Sequence, residues 1–384
     1  MTRRVATMAL PDGAGPDFSA LRRRRRLRLL DAMAVNGLDA LVLGRPANIA
    51  YASGARQLWT SGSRPFAPGC VVTADDGAVH LLSISDDGIP DEIGRDGLYG
   101  MAWNPANLVV SLQAIKGLAA AKRVGTDSAT PTFPAMLASV APGAELTDGR
   151  PAIWSARTTK SPDEVACITT ATAIAESALV AMVDAARPGI TERQLVGRYF
   201  EAIASTGTAT PPTEAVVCAT ARSGPVILRR VVTDGAVEPG QLVVLDPGAM
   251  YAGYEGGVGR TIVAGSTPTP RQLSLATRCR DALDALVAAC RAGAAGHEIK
   301  AAWAATGEAM PIAALVHGVG LGMEPPVIGG GGGDDAVLSA DMVVSVTAWV
   351  AEDGVGGWLG RDIVHVTSDG PAVLSRSSHA AARS

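Results

Sequence analysis

Apolar residues recur at helical spacing from Asp17 to about Asn36, where Phe18, Leu21, Leu27, Leu30 and Met33 can form an inner face. Short apolar runs at Ala40–Leu43, Cys70–Thr73 and Val79–Ser83 read as strands, followed by a helix from Asn107 to about Lys122 and a strand near Arg123–Thr126. Alternation of this kind argues for an α/β layer domain. A linker near Asp148–Lys160 leads to a second region with three helix starts. Ser161-Pro162-Asp163-Glu164 offers a cap, a proline suited to the first turn and a glutamate that can reach back; Thr191 with Gln194 and Thr269 with Gln272 repeat the device. Strands are expected at Glu214–Ala219, Gln241–Met250, Gly257–Ala264, Met342–Val350 and Ile363–Val366. The pattern divides the chain into a flexible tail at 1–17, domains at 18–150 and 160–374, and a second tail at 375–384.

Composition narrows the setting. The chain has 384 residues, 47% of them apolar, and a net charge of -4, so it can bury two sizeable cores and has no general attraction for nucleic acid. No apolar stretch reads as a membrane span and the first residues do not read as a signal peptide, so a cytoplasmic setting without membrane partners is expected. Five scattered cysteines, Cys70, Cys167, Cys218, Cys279 and Cys290, read as buried free thiols. The run Arg22–Arg26 points all round its helix and reads as a solvated first helix with packed stems. Gly329–Gly333 lacks the G-K-[ST] of a phosphate loop and reads as a mobile loop near the mouth of a site.

Three segments carry the candidate chemistry: LVVLDPGAMYAGYEGGVGRT at Leu242–Thr261, HGVGLGMEPP at His317–Pro326, and SVTAWVAEDGVGGWLGRDIVHVT at Ser345–Thr367. In that order they resemble the pita-bread superfamily of creatinase, prolidase, aminopeptidase P and methionine aminopeptidase. The phrases GLDALVLG and NIAYASG between Gly37 and Gly54 are similar to the creatinase N-terminal domain. The resemblance runs from residue 18 to about residue 374. It implies an α/β (α+β) fold in which a creatinase-like N-terminal α/β domain precedes a C-terminal pita-bread domain, a curved mixed sheet covered by helices. It also implies a homodimer, in which Arg56, Trp59 and Arg64 either help close the partner's pocket or form a surface loop.

The metallopeptidases of that superfamily hold two divalent ions with two Asp, one His and two Glu. The matching positions here are Asp246, Gly257, His317, Thr347 and Arg361. Gly257 and Thr347 bring no charge, and the guanidinium of Arg361 stays protonated, cannot coordinate and repels a cation. The expectation is therefore no metal and no other cofactor, with Arg361 paired to Asp246. A shifted register would instead bring in Glu255, Glu352, Asp353 or Asp362. Creatinase, which also lacks the metals, relies on a His seventeen residues before the D-x-G aspartate; here that place is Arg229, followed by Arg230.

What remains is a pocket of His317, Asp246 and Glu324 with Arg229, Arg230 and Arg361. His317 is the candidate general acid or base. Glu324 can orient or protonate a leaving group, and the arginines can fork onto a carboxylate or phosphate. Arg229 and Arg230 alternate faces if their segment is a strand, so one of the two enters the pocket. The function expected from this set is a metal-independent, creatinase-like enzyme that hydrolyses or cleaves a C–N bond of a small anionic molecule. The alternatives are a repurposed enzyme of elimination, isomerisation or cyclisation, a pseudoenzyme that binds a peptide or protein, and, least favoured, an Xaa-Pro-type metallopeptidase.

Overall fold

The structure, a computed structural model, describes residues 16–55, 69–83, 88–100, 105–128, 132–206, 208, 211–212 and 215–379. They form two compact units, divided between Thr158 and Thr159. Arg56, Trp59, Arg64 and Glu214 lie outside the described residues.

The first unit runs α1 (Phe18–Val35), β1 (Ala40–Leu43), α2 (Pro46–Ser53), β2 (Cys70–Thr73), β3 (Val79–Ser83), β4 (Leu98–Gly100), α3 (Pro105–Gln113), α4 (Lys116–Ala120), β5 (Arg123–Thr126), α5 (Phe133–Val140), β6 (Glu145–Asp148) and α6 (Arg150–Arg157). Its strands make one mixed sheet in the order β4-β3-β2-β1-β5-β6. The single helix expected over 107–122 is two, because the chain turns at Ala114 and Ile115. The expected linker contains α6, which starts where Asp148 accepts from the Arg150 amide and Pro151 fills the first turn. The buried stripe of α1 is Leu21, Arg25, Leu29, Ala32 and Met33, whereas Leu27 is exposed. Arg25 is therefore not solvated; its guanidinium lies 5.6 Å from the Tyr51 ring centre. The NIAYASG phrase has a structural role: Asn48 donates to Asp127 at 2.7 Å and accepts from Arg157, while Asp127 also takes the amides of Gly44 and Arg45.

The second unit runs α7 (Pro162–Ala185), α8 (Glu192–Ser205), β7 (Val216–Ala219), β8 (Leu242–Asp246), β9 (Gly248–Tyr251), β10 (Tyr254–Gly257), β11 (Arg260–Val263), α9 (Pro270–Ala289), α10 (Gly296–Ala304), β12 (Val316–Gly320), β13 (Gly322–Ile328), β14 (Val343–Glu352), β15 (Gly356–Thr367) and β16 (Gly370–Val373). The caps of α7, α8 and α9 are the three capping boxes read from the sequence. α7 is long and apolar enough to cross a membrane, but it is a core helix packed on α8, β9 and β10. All five cysteines are buried and free. The expected strand 241–250 is broken after Asp246, since Pro247 has no N–H to continue the ladder. β9 and β10 then form a hairpin on the two-residue turn Ala252-Gly253, both at positive φ.

β13-β12-β14-β15-β16 form a five-stranded sheet and β11-β8-β7 a three-stranded one. The two faces of the larger sheet differ. Val344, Val346, Ala348 and Val350 of β14 and Trp358, Val364 and Val366 of β15 join the α9 stripe Leu275, Cys279, Ala282, Leu283, Leu286 and Cys290 in one core. Side chains alternate along a strand, so Ser345, Thr347, Trp349, Leu359, Arg361 and Ile363 face the other way. The glycine run 329–333 is a closed turn, with Gly329 and Gly332 exchanging two backbone hydrogen bonds at 3.2 Å. Residues 375–379, expected as tail, are tied down: Arg260 donates to the carbonyls of Ser377 and Ser378, and His379 and Ser375 bind Asp362.

β10 lies so close to α7 that a Cβ on Gly256 would stand 2.2 Å from the Thr172 amide nitrogen and 2.5 Å from the Ala171 carbonyl carbon. Those are backbone atoms of a packed helix, so Gly256→Ala is expected to destabilise the fold by about 1–3 kcal/mol. Urea unfolding checks this; an unchanged midpoint would mean that helix and strand are not held at this separation.

Candidate active site

The site lies on the face of the β12-β14-β15 sheet turned away from α9. His317 on β12 stands opposite Ser345 on β14, and Thr347 stands opposite Arg361 on β15. Directly opposed residues share a face, and Ser345 and Thr347 are two apart on β14, so these four form two adjacent cross-strand pairs on one face. Asp246 enters from the end of β8. Arg361 Nη2 lies 2.7 Å from Asp246 Oδ1, as the sequence led one to expect. The contact is a charge pair and not an aligned hydrogen bond: among the described residues neither Asp246 Oδ1 nor Arg361 Nε finds a hydrogen-bond partner. Two glycines make the room. A Cβ on Gly257 would fall 2.5 Å from Arg361 Nη2, and one on Gly259 would fall 2.9 Å from Arg361 Cβ and 3.0 Å from Asp246 Oδ1.

Electrostatics in the row are dominated by burial and by arginine. Burial pushes the Asp246 carboxyl up, against the opposing pull of Arg361, Arg230 and Arg260. Burial, reinforced by Arg361 and Arg230, pushes His317 down to about 4, which leaves a neutral imidazole at pH 7. Ser345 is buried and its Oγ has no partner among the described residues. Tyr199 of α8 donates to the Gly248 carbonyl at 2.7 Å, and its phenol is pushed up by burial and by Asp246.

The other candidates separate. The segment holding Arg229 and Arg230 is not a strand. Arg229 is committed to Glu192 of α8, with Nη2 2.5 Å from Oε1 and Nη1 3.1 Å from Oε2, whereas the charge of Arg230 acts on both Asp246 and His317. Glu324 on β13 is sealed in an ion pair, its Oε2 2.8 Å from Lys160 Nζ, with both side chains almost fully buried. Lys160 was assigned to a linker in the sequence; its place directly before the Ser161 cap was the only available sign that it is held. The substitute ligands are occupied elsewhere or stand apart. Asp362 points to the α9 side, paired with Arg260 at 2.8 Å and His379 at 2.8 Å. Glu352 pairs with Arg271 and Arg278, and Asp353 sits in the exposed turn after β14. Glu255 stands opposite Met250 in the β9–β10 hairpin. A depression of about 620 Å³ at the start of α9, lined by Arg222, Arg271, Gln272 and Val355, contains none of the candidates.

Residues 25–159 match the creatinase/prolidase N-terminal domain, and residues 166–368, more than half of the chain, match metallopeptidase family M24. The chain belongs to metallopeptidase family M24. An Xaa-Pro dipeptidase of Pyrococcus horikoshii is 25% identical over 91% of this M24 chain and 96% of its own. The crystal structure of the prolidase from Pyrococcus horikoshii OT3 superposes with a TM-score of 0.76 at 23% identity, covering 93% of this chain and 99% of that one. A dipeptidase PepE structure from Mycobacterium ulcerans gives 0.74 at 24% identity, covering 95% and 98%.

These relatives correct the expected function. The metal-independent, creatinase-like cleavage of a small anionic molecule is overturned: the family is one of metallopeptidases, and a relative matched across 96% of its own length is named an Xaa-Pro dipeptidase. The protein is a member of a hydrolase family, and the lyase alternative has no support among them. The family implies two divalent ions, which require several anionic oxygen ligands. The residues here do not fit that pair of ions. Asp246 is bound to Arg361, Gly257 and Thr347 carry no carboxylate, and among the described residues no three His, Cys, Asp or Glu side chains gather into a metal-holding group.

Lys160→Met would strand Glu324 as a buried charge and is expected to cost about 3–5 kcal/mol, most of it recovered in the double variant Lys160→Met/Glu324→Leu. Chemical denaturation of the two proteins tests this, and an equal loss in both would deny the coupling. His317 is expected to titrate near 4 by imidazole NMR. Because its folded value lies below the ordinary 6.5, the unfolded chain takes up the proton first. Its contribution to stability is thus present above about 6.5 and falls as the pH drops toward 4. His317→Asn should flatten that part of the stability profile, and a His317 midpoint near 6.5 would contradict its burial beside two arginines.

Proposed function

We propose that this protein is a peptidase of small Xaa-Pro-type peptides, a cytoplasmic homodimer that hydrolyses the amide bond before proline. One observation carries the reading: the Xaa-Pro dipeptidase from Pyrococcus horikoshii matches 91% of the chain and 96% of its own length, so both domains correspond to a whole relative. The arrangement of side chains supports it. His317, Ser345, Thr347 and Arg361 line one face of a sheet whose other face is closed by α9, which leaves a polar row available to a small ligand. In this reading His317, a neutral imidazole with no hydrogen-bond partner among the described residues, exchanges a proton with the reacting amide. Glu324 and Lys160 hold β13 beside it as a neutralised buried pair. No step is assigned to metal ions, since the ligand positions do not fit them.

The test is release of free proline from Ala-Pro, Met-Pro and, as a control, Ala-Ala. The protein is assayed as purified and after addition of manganese, cobalt or zinc. Proline release from the Xaa-Pro peptides is expected, falling by about 100-fold or more in a folded His317→Ala variant. No proline release under any of these conditions would sink the proposal, and binding without release would remove its hydrolytic half.

A further inference from the structure

Glu192 is a buried charge that the proposed reaction does not use. It opens α8, and 1% of its side chain is exposed. Five donors converge on it: the Ala219 amide at 2.8 Å, the Thr233 amide and hydroxyl at 2.6 and 2.9 Å, and the two Nη of Arg229 at 3.1 and 2.5 Å. Burial pushes the carboxyl up, but Arg229, Thr233 and Ala219 together hold it below the ordinary carboxylate range, so the anion is the form present at pH 7. Thr191 and Gln194 already cap α8. The donors that Glu192 gathers therefore serve the end of β7 and the segment 220–241, which joins β7 to β8 without a helix or strand of its own. Irregular segments of that length are uncommon inside a compact domain and, when tied down, are usually functional. This one is tied at three points. Leu228 packs against Cys218, Val244 and Leu359, as Trp349 does. Leu359 and Trp349 are cross-strand partners two residues from Arg361 and Thr347, on the site face of the larger sheet. Arg229 and Thr233 are the other two points, both on Glu192. Between them Arg230 and Val231 are left exposed, Val231 by 75%, and the charge of Arg230 acts on Asp246 and His317. Fixing an irregular backbone costs conformational entropy, which charge-assisted hydrogen bonds to an already desolvated carboxylate offset.

We infer that Glu192 is a positioning residue of the site: it pins Arg229 and Thr233 so that the arch of Arg230, Val231 and Val232 forms one wall of the ligand pocket. What the wall touches rests on the peptidase reading above, whereas the pinning rests on the hydrogen bonds alone. On that reading the arch lies against the bound Xaa-Pro peptide, with Val231 offering an apolar contact. An unpinned arch samples other conformations, and the apparent affinity falls with the fraction of time it is in place. Loss of Glu192 therefore raises KM and leaves the proton transfer at His317 nearly unchanged. Cys218 reports on the arch without any catalysis: its buried Sγ lies 3.9 Å from the Ile227 carbonyl, under the segment that Glu192 holds. Burial pushes this thiol up, so it is unreactive while covered.

The experiment compares the wild type with Glu192→Gln and with Glu192→Gln/Arg229→Met, in which neither partner is left as a lone buried charge. A chromogenic disulfide reagent follows the thiols, and proline release from Ala-Pro follows the site. In both variants one thiol is expected to react about tenfold or more faster than in the wild type and to be lost on Cys218→Ser, while the other four of the five buried cysteines stay protected. KM is expected to rise about tenfold with kcat within about threefold. Arg230→Gln, which raises KM in the wild type, should add nothing in the Glu192→Gln background. A Cys218 that reacts as slowly as in the wild type overturns the pin. Reaction of all five thiols together in Glu192→Gln shows that this variant is unfolded, and the double variant then decides; the same result there makes Glu192 a residue of the fold alone and overturns the proposal. A fall in kcat without a change in KM, or an Arg230→Gln effect that simply adds, overturns the positioning role even where Cys218 is released. If no Xaa-Pro peptide is turned over, the peptidase reading fails by itself and the labelling decides the pin.

Discussion

Arg361 joins the five-stranded and three-stranded sheets of the second unit through both its backbone and its side chain. Its amide and carbonyl exchange hydrogen bonds with Gly259, at 3.0 and 3.1 Å, and so connect the five-stranded sheet to the segment leading into β11. Its guanidinium reaches Asp246 at the end of β8, in the three-stranded sheet. An ion pair in a poorly solvated place stabilises little by itself, because desolvation offsets most of the attraction. Its weight lies in the cost of losing one partner: without Arg361, Asp246 would be a lone buried carboxylate whose proton affinity burial already raises. The same guanidinium reinforces the effect of burial in lowering the proton affinity of His317, so one side chain both joins the sheets and bears on the state of the candidate base.

The family and the site pull in different directions, and the disagreement is local. The fold follows that of prolidases over 93% of the chain, with both domains present. At the positions expected to hold metal ligands, Gly257, Thr347 and Arg361 carry no carboxylate. Gly257 makes the space that Arg361 fills, so the glycine and the arginine belong together sterically. Neither residue interrupts its ladder: Gly257 pairs with Gly248 and Arg361 with Thr347 in regular antiparallel register. Fold similarity therefore survives while the chemistry available to the site is altered.

Much of this was legible in the chain. β1, β2, β3 and β5 fall on the residues their apolar runs marked, and the three capping boxes start α7, α8 and α9, since both signals act over a few neighbouring residues. The pairing of Asp246 with Arg361 was also readable, because opposite charges at two ligand positions of one known framework must lie close together. Glu324 and Arg229 could not be placed this way. Each was read as a pocket residue, and each is held by a partner distant in sequence, Lys160 and Glu192, with no local sign of the pairing.

By itself, then, the sequence determined the kind of elements, their order, the family framework and the absence of carboxylates at positions 257, 347 and 361. Periodicity, capping and residue charge are properties of the chain alone. Tertiary structure decided which polar groups are compensated. It assigned Glu324 to Lys160, Arg229 to Glu192 and Asp362 to Arg260 and His379, and it left Arg230, the Arg361 Nε and the Ser345 hydroxyl without partners among the described residues. Compensation is a matter of distances between strands and helices far apart in the chain. The free-energy cost of a buried charge depends on those distances, not on its neighbours in sequence.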